Sequence, residues 1–219
     1  AMESRGLGDV YKRQHNNLYE RWAKGGIGIS VTGNVQVDHR YIERAGNVVI
    51  EGKQSNESLA ALADWSKAGT KENTHLWMQL SHAGRQTPFS INKESRAPSV
   101  QPLPTLGGVL KFGVPKELSQ SEILNIIDQF VNAAEVAKQT GFTGVQLHSA
   151  HGYLLSEFLS PNVNQRTDEW GGSIENRSRL LITTIEAIRD KVGSNFPISV
   201  KLNSSDFQKG GFTHEESIK

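Results

Sequence analysis

The segment of residues 144–153 carries side chains that could do chemistry at the end of a strand. It begins with a short apolar run and ends with His148, His151, Gly152 and Tyr153. Imidazole can donate hydrogen bonds or move protons near neutral pH, and a phenol can deliver a proton. A strand that ends in titratable groups and turns on a glycine is typical of an active-site edge. The residue types alone leave equally open a structural histidine beside a surface tyrosine.

Helical and strand patterns alternate along the chain, and the elements that they predict would hold residues 144–153 in place. Apolar residues at helical spacing mark the helices, and Ser119 with Glu122 predicts a capping box. The proline-rich residues 87–118 show no regular pattern and are long enough for a lid or a binding loop. The alternation predicts an α/β fold with a parallel sheet covered by helices. We predict helices at 15–25, 56–68, 119–140, 173–192 and from 213 onward, and strands at 27–33, 75–80, 144–148 and 196–202.

Three of these strands divide polar and apolar side chains between two faces. Because successive side chains of a strand point to opposite faces, one face is apolar and the other carries polar groups near each carboxyl end. An open doubly wound sheet would be apolar on both faces, whereas a barrel can be polar at the top of its interior. The pattern therefore favours a (β/α) barrel, and no dinucleotide or Walker loop argues otherwise. The polar-face residues are Trp77 and Gln79, Gln146 and His148, and Ser199 and Lys201.

Composition limits the classes of function. The chain has 219 residues, of which 36% are hydrophobic and 21% charged, as expected for one globular domain with a sizeable core. The net charge of +1 gives no support for nucleic acid or an acidic membrane as a partner. No apolar run reaches the roughly 18 residues of a membrane helix. The absence of cysteine excludes thiolate chemistry and disulfides in this chain and fits a reducing cytoplasm, where we expect the protein.

The first fourteen residues differ from the rest of the chain. They show neither helical nor strand periodicity and do not join smoothly to the helix that follows. We predict that residues 1–14 are a non-native or disordered leader without function. Residues 15–219 then form the one folded domain.

Several motifs resemble the Old Yellow Enzyme family. Residues 148–161 read His-Ser-Ala-His-Gly-Tyr-Leu-Leu-Ser-Glu-Phe-Leu-Ser-Pro, and this long run is far more specific than a short motif. Residues 32–35, 79–85, 164–166 and 171–173 are also similar to the family. The resemblance implies a TIM barrel that binds FMN and uses NAD(P)H to reduce activated carbon–carbon double bonds. Its substrate would be a small-molecule alkene.

The resemblance also implies which residues hold the flavin. Gln79 would hydrogen-bond the pyrimidine edge of the ring. Lys201 stands where many relatives have arginine, near flavin N1 and O2, and its cation would stabilise the anionic reduced ring. Gly33 would let the backbone approach the isoalloxazine closely.

The substrate residues follow from the same resemblance. His148 and His151 would donate hydrogen bonds to the carbonyl oxygen of the substrate, so that hydride can add at the β-carbon. Tyr153 would protonate the α-carbon. Some relatives have asparagine in place of the second histidine, and both residue types donate hydrogen bonds.

Other interpretations of these residues stay open. Lys201 could form a Schiff base, as in barrel aldolases, and the two histidines could bind a metal, although no third ligand stands out. The protein would then be a lyase. The charged residues after residue 165 are better explained as a structural ion-pair network, and His82 and Arg85 either border the site or brace a loop. That network comprises Arg166, Asp168, Arg177 and Arg179.

The extent of the resemblance predicts an incomplete barrel. Aligned by motif, the chain holds about strands two to five of the eight strands in a TIM barrel. We therefore expect an internal fragment with open edges at its first and last strand. Alone, this fragment should be inactive, marginally stable or aggregated, and should bind FMN weakly or not at all. A non-catalytic fragment that serves as an interaction module is a further alternative. The full-length parent could be an oligomer.

Overall fold

The computed structural model describes residues 8–219, and the side chains of residues 14–219. Helices and strands alternate through most of this range, as predicted, with two short 3₁₀ turns at Lys71–Asn73 and Gly84–Gln86. The elements are α1 (Gly8–Lys24), β1 (Ile29–Gln36), α2 (Asn56–Gly69), β2 (His75–Ser81), β3 (Glu94–Ala97), β4 (Val114–Glu117), α3 (Gln120–Gln139), β5 (Gly144–Ser149), α4 (Leu154–Leu159), α5 (Ile174–Val192), β6 (Ile198–Leu202) and α6 (His214–Ile218).

The central sheet has four parallel strands in the order β1-β2-β5-β6. The register places Gln79 beside Gln146, Gln146 beside Ser199, and His148 beside Lys201. Residues at the same level of adjacent parallel strands project from the same face. The register thus confirms that one face of the sheet carries the row of polar side chains.

The other face of the sheet packs against helices and forms the core. Leu76, Met78, Leu80, Val145 and Leu147 are all fully buried there. Helix α3 covers this face with a buried apolar stripe, and its first turn carries the predicted capping box between Ser119 and Glu122. Burial of these side chains is the main favourable term in folding. Because this face supplies the core, the side chains of the opposite face can be polar.

The first and last strands of the sheet are edges within the described residues. β1 pairs only with β2 and leaves Ile29 51% exposed, while β6 pairs only with β5 and buries none of its side chains fully. The predicted open edges are therefore confirmed. An edge strand presents unpaired N–H and C=O groups that can pair with another strand.

Three features differ from the sequence-based assignment. Helix α1 begins at Gly8, so residues 8–14 of the predicted leader are helical. Once a helix has nucleated, each further residue adds one hydrogen bond to it. Residues 1–7 lie outside the described range, and the prediction for them stays a prediction. The proline-rich segment is not wholly irregular, because β3 and β4 pair as a small parallel sheet. Helix α4 was not predicted because its six residues are too few to show a period.

Candidate active site

His148 lies at the carboxyl end of β5 and is buried, with 2% of its surface exposed. Burial lowers its pKa to about 4, and the nearby charges of His151 and Lys201 act in the same direction. The ring is therefore neutral at physiological pH. Its Nδ1 accepts a hydrogen bond of 3.4 Å from the backbone N–H of Ala150. The ring proton then sits on Nε2, which can donate to a ligand.

His151 is held beside His148 by an unusual backbone. Its φ of 61° lies in the left-handed region. Its N–H donates to Oδ1 of Asn203 at 3.1 Å, and its carbonyl accepts from Nε2 of Gln86 at 2.6 Å. Gly152 has a φ of 76°, in the left-handed region that favours glycine, and a Cβ there would also lie 2.7 Å from that same Nε2. The turn places the exposed His151 ring 5.1 Å from the ring of His148.

Tyr153 completes the cluster from the residue before α4. Its ring packs edge-on against His148 with the centroids 4.8 Å apart. Its hydroxyl donates a hydrogen bond of 2.5 Å to Oε2 of Glu43. Burial and this hydrogen bond raise the pKa of the Tyr153 phenol well above its usual value, so the phenol holds its proton across the physiological range. The structure thus brings all three predicted residues together.

Glu43 was not found from the sequence, because it lies in an irregular loop 110 residues before Tyr153. Nδ2 of Asn34 donates to its Oε2 at 2.7 Å, and Nδ2 of Asn47 donates to its Oε1 at 3.2 Å. Burial acts to raise the pKa of this carboxyl. The hydrogen bonds from Tyr153, Asn34 and Asn47 outweigh burial and hold the pKa below its usual range.

A row of hydrogen-bonding side chains lies below this cluster on the same face. Nε2 of Gln79 donates to Oε1 of Gln146 at 2.6 Å, and Nε2 of Gln146 donates to Oγ of Ser199 at 3.2 Å. The bond to Gln146 uses the Gln79 amide as a donor and leaves its carbonyl oxygen as an acceptor. Lys201 adds a partly exposed cation one step from His148 across the sheet.

The region around Gly33 has room for a planar ring. The pairs Val31–Trp77 and Asn34–Gln79 leave two residues of β1 facing one residue of β2, which is a β-bulge. A Cβ added at Gly33 would meet nothing within 4 Å, so no neighbour in the described chain requires glycine there. Open space at an exposed backbone, an amide and a cation together fit the polar edge of a flavin.

Charged residues elsewhere brace the loops that carry the site. Arg166 binds Asp168 at 2.5 Å and the carbonyl of Leu118 at 2.7 Å. Arg177 donates to carbonyl oxygens of Leu159 and Gly172 and pairs with Glu216. The predicted structural ion pairs are therefore confirmed for Arg166 and Arg177, in two separate pairs. Arg179 instead donates hydrogen bonds to the carbonyl of Glu169 and to Oδ1 of Asn176.

His82 and Arg85 also brace the surrounding loops. Nδ1 of the buried His82 accepts from the backbone N–H of Gly84 at 3.0 Å. The backbone N–H of Arg85 donates to Oε1 of Glu157 at 2.8 Å, and its guanidinium donates to the carbonyl of Gln101 at 3.0 Å. Arg85 also lines a cavity of about 530 Å³ that reaches His151, which is large enough for part of a small organic ligand.

The metal interpretation gains no support at the two histidines. Among the described residues, only Asp38, His39 and Glu51 form a group of three ligand atoms close enough for one ion. Both carboxylate oxygens of Asp38 already accept hydrogen bonds from Arg40, and one also accepts from Gln129. Neither His148 nor His151 has a third ligand of this kind in the described part of the chain.

Comparison with known proteins assigns the chain to a family. The family model of the NADH:flavin oxidoreductase / NADH oxidase family matches residues 2–219. The chain belongs to this family. The match confirms the resemblance found in the motifs, and it includes most of the segment that we predicted to be a leader.

Individual members of the family show how much of the protein is present. The chain is 39% identical over 203 residues to the NADH-dependent flavin oxidoreductase iliE of Hypocrea jecorina, covering 87% of this chain and 51% of the relative. A 2-naphthoyl-CoA reductase in complex with 2-naphthoyl-CoA superposes with a TM-score of 0.85 at 32% identity, over 94% of this chain and 32% of that one. The old yellow enzyme homologue from Zymomonas mobilis gives 0.80 at 27% identity, over 93% and 57%. The chain therefore spans about half or less of the iliE and naphthoyl-CoA reductase chains, and its parallel sheet is part of a TIM barrel.

No helix in the described range is long and apolar enough to cross a membrane.

Proposed function

We propose that the whole protein is an FMN-dependent oxidoreductase that reduces activated carbon–carbon double bonds with NAD(P)H. The observation that carries the proposal is the cluster of a neutral buried His148, a neighbouring His151 and a phenol on Tyr153, all at one strand end. Enones, enoates and conjugated thioesters share the carbonyl oxygen that such donors bind. The name of the naphthoyl-CoA reductase places a conjugated thioester among the substrates of a similar protein.

The residues of this chain would divide the work as follows. Gln79 and Lys201 would hold the polar edge of FMN, and Gly33 would leave room for its ring. When bound, FMN supplies the hydride that it receives from NAD(P)H. Nε2 of His148 and the ring of His151 would donate hydrogen bonds to the substrate carbonyl, which withdraws electrons from the alkene. Tyr153 would give a proton to the α-carbon, and the cavity beside His151 would take the rest of the substrate.

A Schiff-base lyase is the second candidate function. Lys201 lies at a strand end and is partly exposed, so a carbonyl substrate could reach it. The position of Lys201 is the observation that favours the lyase. The flavin proposal also accounts for Gly33, Gln79 and the family match.

The flavin proposal predicts the colour of the protein. The whole protein should purify yellow and release FMN on denaturation, because an amide, a cation and open backbone converge on one face of the sheet. Absorbance in the flavin bands measures the bound flavin, and chromatography identifies the released cofactor. A folded, colourless protein that does not take up added FMN, and that forms a borohydride-reducible adduct at Lys201, would instead support the lyase.

The histidine pair predicts a selective loss of ligand binding. The double substitution His148→Ala and His151→Ala should weaken the binding of phenols and enones about tenfold or more, since a hydrogen bond contributes about 0.5–1.5 kcal/mol, and about 1.5–3 kcal/mol when its partner is charged. Flavin content should be unchanged, because neither histidine is among the residues proposed to hold the flavin. Titration of the flavin spectrum with a phenol measures both. His75→Ala, at the exposed start of β2, is the control, and unchanged phenol affinity in the double variant would contradict the assignment.

A further inference from the structure

The hydrogen bond between Tyr153 and Glu43 restricts where the phenol proton can go. A phenol has one O–H, and the 2.5 Å contact directs it at Oε2 of Glu43. While Glu43 is a carboxylate it can only accept, so this bond and a hydrogen bond from Tyr153 to a substrate exclude each other. A phenol that faces Glu43 presents only its lone pairs to the substrate.

Glu43 cannot easily turn away from the phenol. Asn34 holds the oxygen that binds Tyr153, and Asn47 holds the other oxygen. The Glu43 side chain is only 19% exposed. The carboxyl therefore keeps its place whether or not it carries a proton, and the proton count of the pair decides the direction of each O–H.

We propose that Glu43 is a positioning residue for Tyr153, and that the pair must hold two protons for the phenol to protonate the substrate. This inference rests on the proposed function. With two protons, the carboxylic acid of Glu43 donates to Oη of Tyr153, and the phenol O–H is free to point at the α-carbon. With one proton, the carboxylate holds the phenol in the unproductive direction. Burial acts to raise the pKa of Glu43, but the hydrogen bonds from Tyr153, Asn34 and Asn47 hold this pKa below its usual range. The one-proton state therefore predominates at neutral pH, and the reaction proceeds from the minor two-proton state.

The proton transfer balances without any further reactant. After hydride has added at the β-carbon, the substrate is an enolate. The electron pair of its carbon–carbon double bond forms the new C–H bond as the phenol O–H breaks. The proton of Glu43 passes to Oη of Tyr153, so the pair ends as a carboxylate and a neutral phenol. Solvent then returns one proton to the pair.

The charged and titratable groups around the pair come from four segments. Arg44 lies beside Glu43, with its Nε 4.0 Å from Oε1. His148 packs on Tyr153, and its lowered pKa keeps it neutral above about pH 4. His151 and Lys201 act on His148 from the following turn and from β6. Within the described residues, Glu43 is the one carboxylate in hydrogen-bond contact with the phenol.

The pH profile of alkene reduction tests the proposal in the FMN-loaded protein. In the unsubstituted protein, the rate of reoxidation by an enone in stopped flow should fall about tenfold per pH unit above a midpoint, as for loss of one essential proton. In Glu43→Gln the side chain does not ionise, and its neutral amide holds the phenol less firmly than a carboxylate does, so the profile should be flat and the variant should be the faster protein at high pH. Glu94→Gln, an exposed partner of Arg96, should keep the original profile.

A second variant and a spectroscopic measurement cover the case in which Glu43→Gln loads flavin poorly. Asn47→Ala removes one donor to the carboxylate and should move the midpoint to higher pH. In protein without flavin, carbon-13 NMR of labelled tyrosine Cζ should show Tyr153 titrating at lower pH in Glu43→Gln, and the chain has only four tyrosines to assign.

The outcomes separate this inference from the proposed function. Unchanged midpoints in both variants, together with an unchanged Tyr153 titration, would overturn the role of Glu43. If Tyr153→Phe slows alkene reduction in that case, the proposed function still stands. If Tyr153→Phe leaves alkene reduction unchanged, the proton donor itself is wrong, whatever the Glu43 variants show.

Discussion

Tyr153→Phe should slow reduction of the alkene by about a hundred- to ten-thousand-fold, which is the usual contribution of a general acid. Reduction of the flavin by NAD(P)H should proceed at its original rate, because that half-reaction needs no phenolic proton. The phenyl ring keeps the packing against His148, where the centroids are 4.8 Å apart. The loss should therefore come from the missing proton and not from a displaced histidine.

Stopped flow resolves the two half-reactions of this variant. Flavin bleaching by NAD(P)H reports the first, and recovery of colour on mixing with an enone reports the second. Tyr41→Phe is the control, since Tyr41 is a buried tyrosine that stacks on His82 instead. Equal slowing of both half-reactions by Tyr153→Phe would remove the phenol from the role of proton donor.

Glu157→Gln should make the folded protein more stable at pH 9 and nearly unchanged at pH 5. Glu157 lies in α4 with 1% of its surface exposed. Its Oε1 accepts from the backbone N–H of Arg85, and its Oε2 has no hydrogen-bond partner in the described chain. Burial raises its pKa to about 8, and the opposing charge of Arg85 only reduces the shift. Glutamine has the same shape and never ionises.

The direction of the pH effect follows from proton linkage. The folded state binds a proton at Glu157 between the unfolded pKa of about 4.3 and the folded pKa. Stability is therefore full below the lower value and is lost as the pH rises through that window. The total loss is on the order of a few kcal/mol. Burial of the carboxyl, not its charge, is what the fold requires.

Denaturant unfolding of the whole protein between pH 5 and pH 9 measures this prediction. The free energy of unfolding should decline more steeply with pH in the unsubstituted protein than in Glu157→Gln. Glu186→Gln, on the exposed face of α5, should keep the steeper slope. Parallel curves for the unsubstituted protein and Glu157→Gln would show that Glu157 is ionised in the folded state.

The period of two along a strand made part of the site predictable. It predicted that Gln79, His148 and Lys201 lie on one face of the sheet. The strand register confirms this, with Gln79 beside Gln146 and His148 beside Lys201. Apolar helical spacing likewise predicted α2, α3 and α5 within a few residues.

The sequence did not reveal residues whose role depends on contacts between distant loops. Glu43 belongs to a loop without periodicity. It meets Tyr153 only because the chain segments that follow β1 and β5, the two neighbours of β2, come together at the same edge of the sheet. Glu157 reads as an ordinary polar residue until α4 is found buried on all sides. The roles of Gly33, Gln79 and Lys201 toward a flavin came from family resemblance and stay predictions.

The left-handed backbone at His151 limits how the substrate preference of the protein could be redesigned. A φ of 61° disfavours most side chains, and β-branched residues above all, whereas asparagine, aspartate and histidine tolerate it best. Of these, asparagine is the replacement that keeps a neutral hydrogen-bond donor. In a library that randomises residue 151, most variants would distort the backbone of the turn, whatever the chemistry of the new side chain. The backbone thus selects a short list of residues at this site, and new specificity is better sought at the cavity wall.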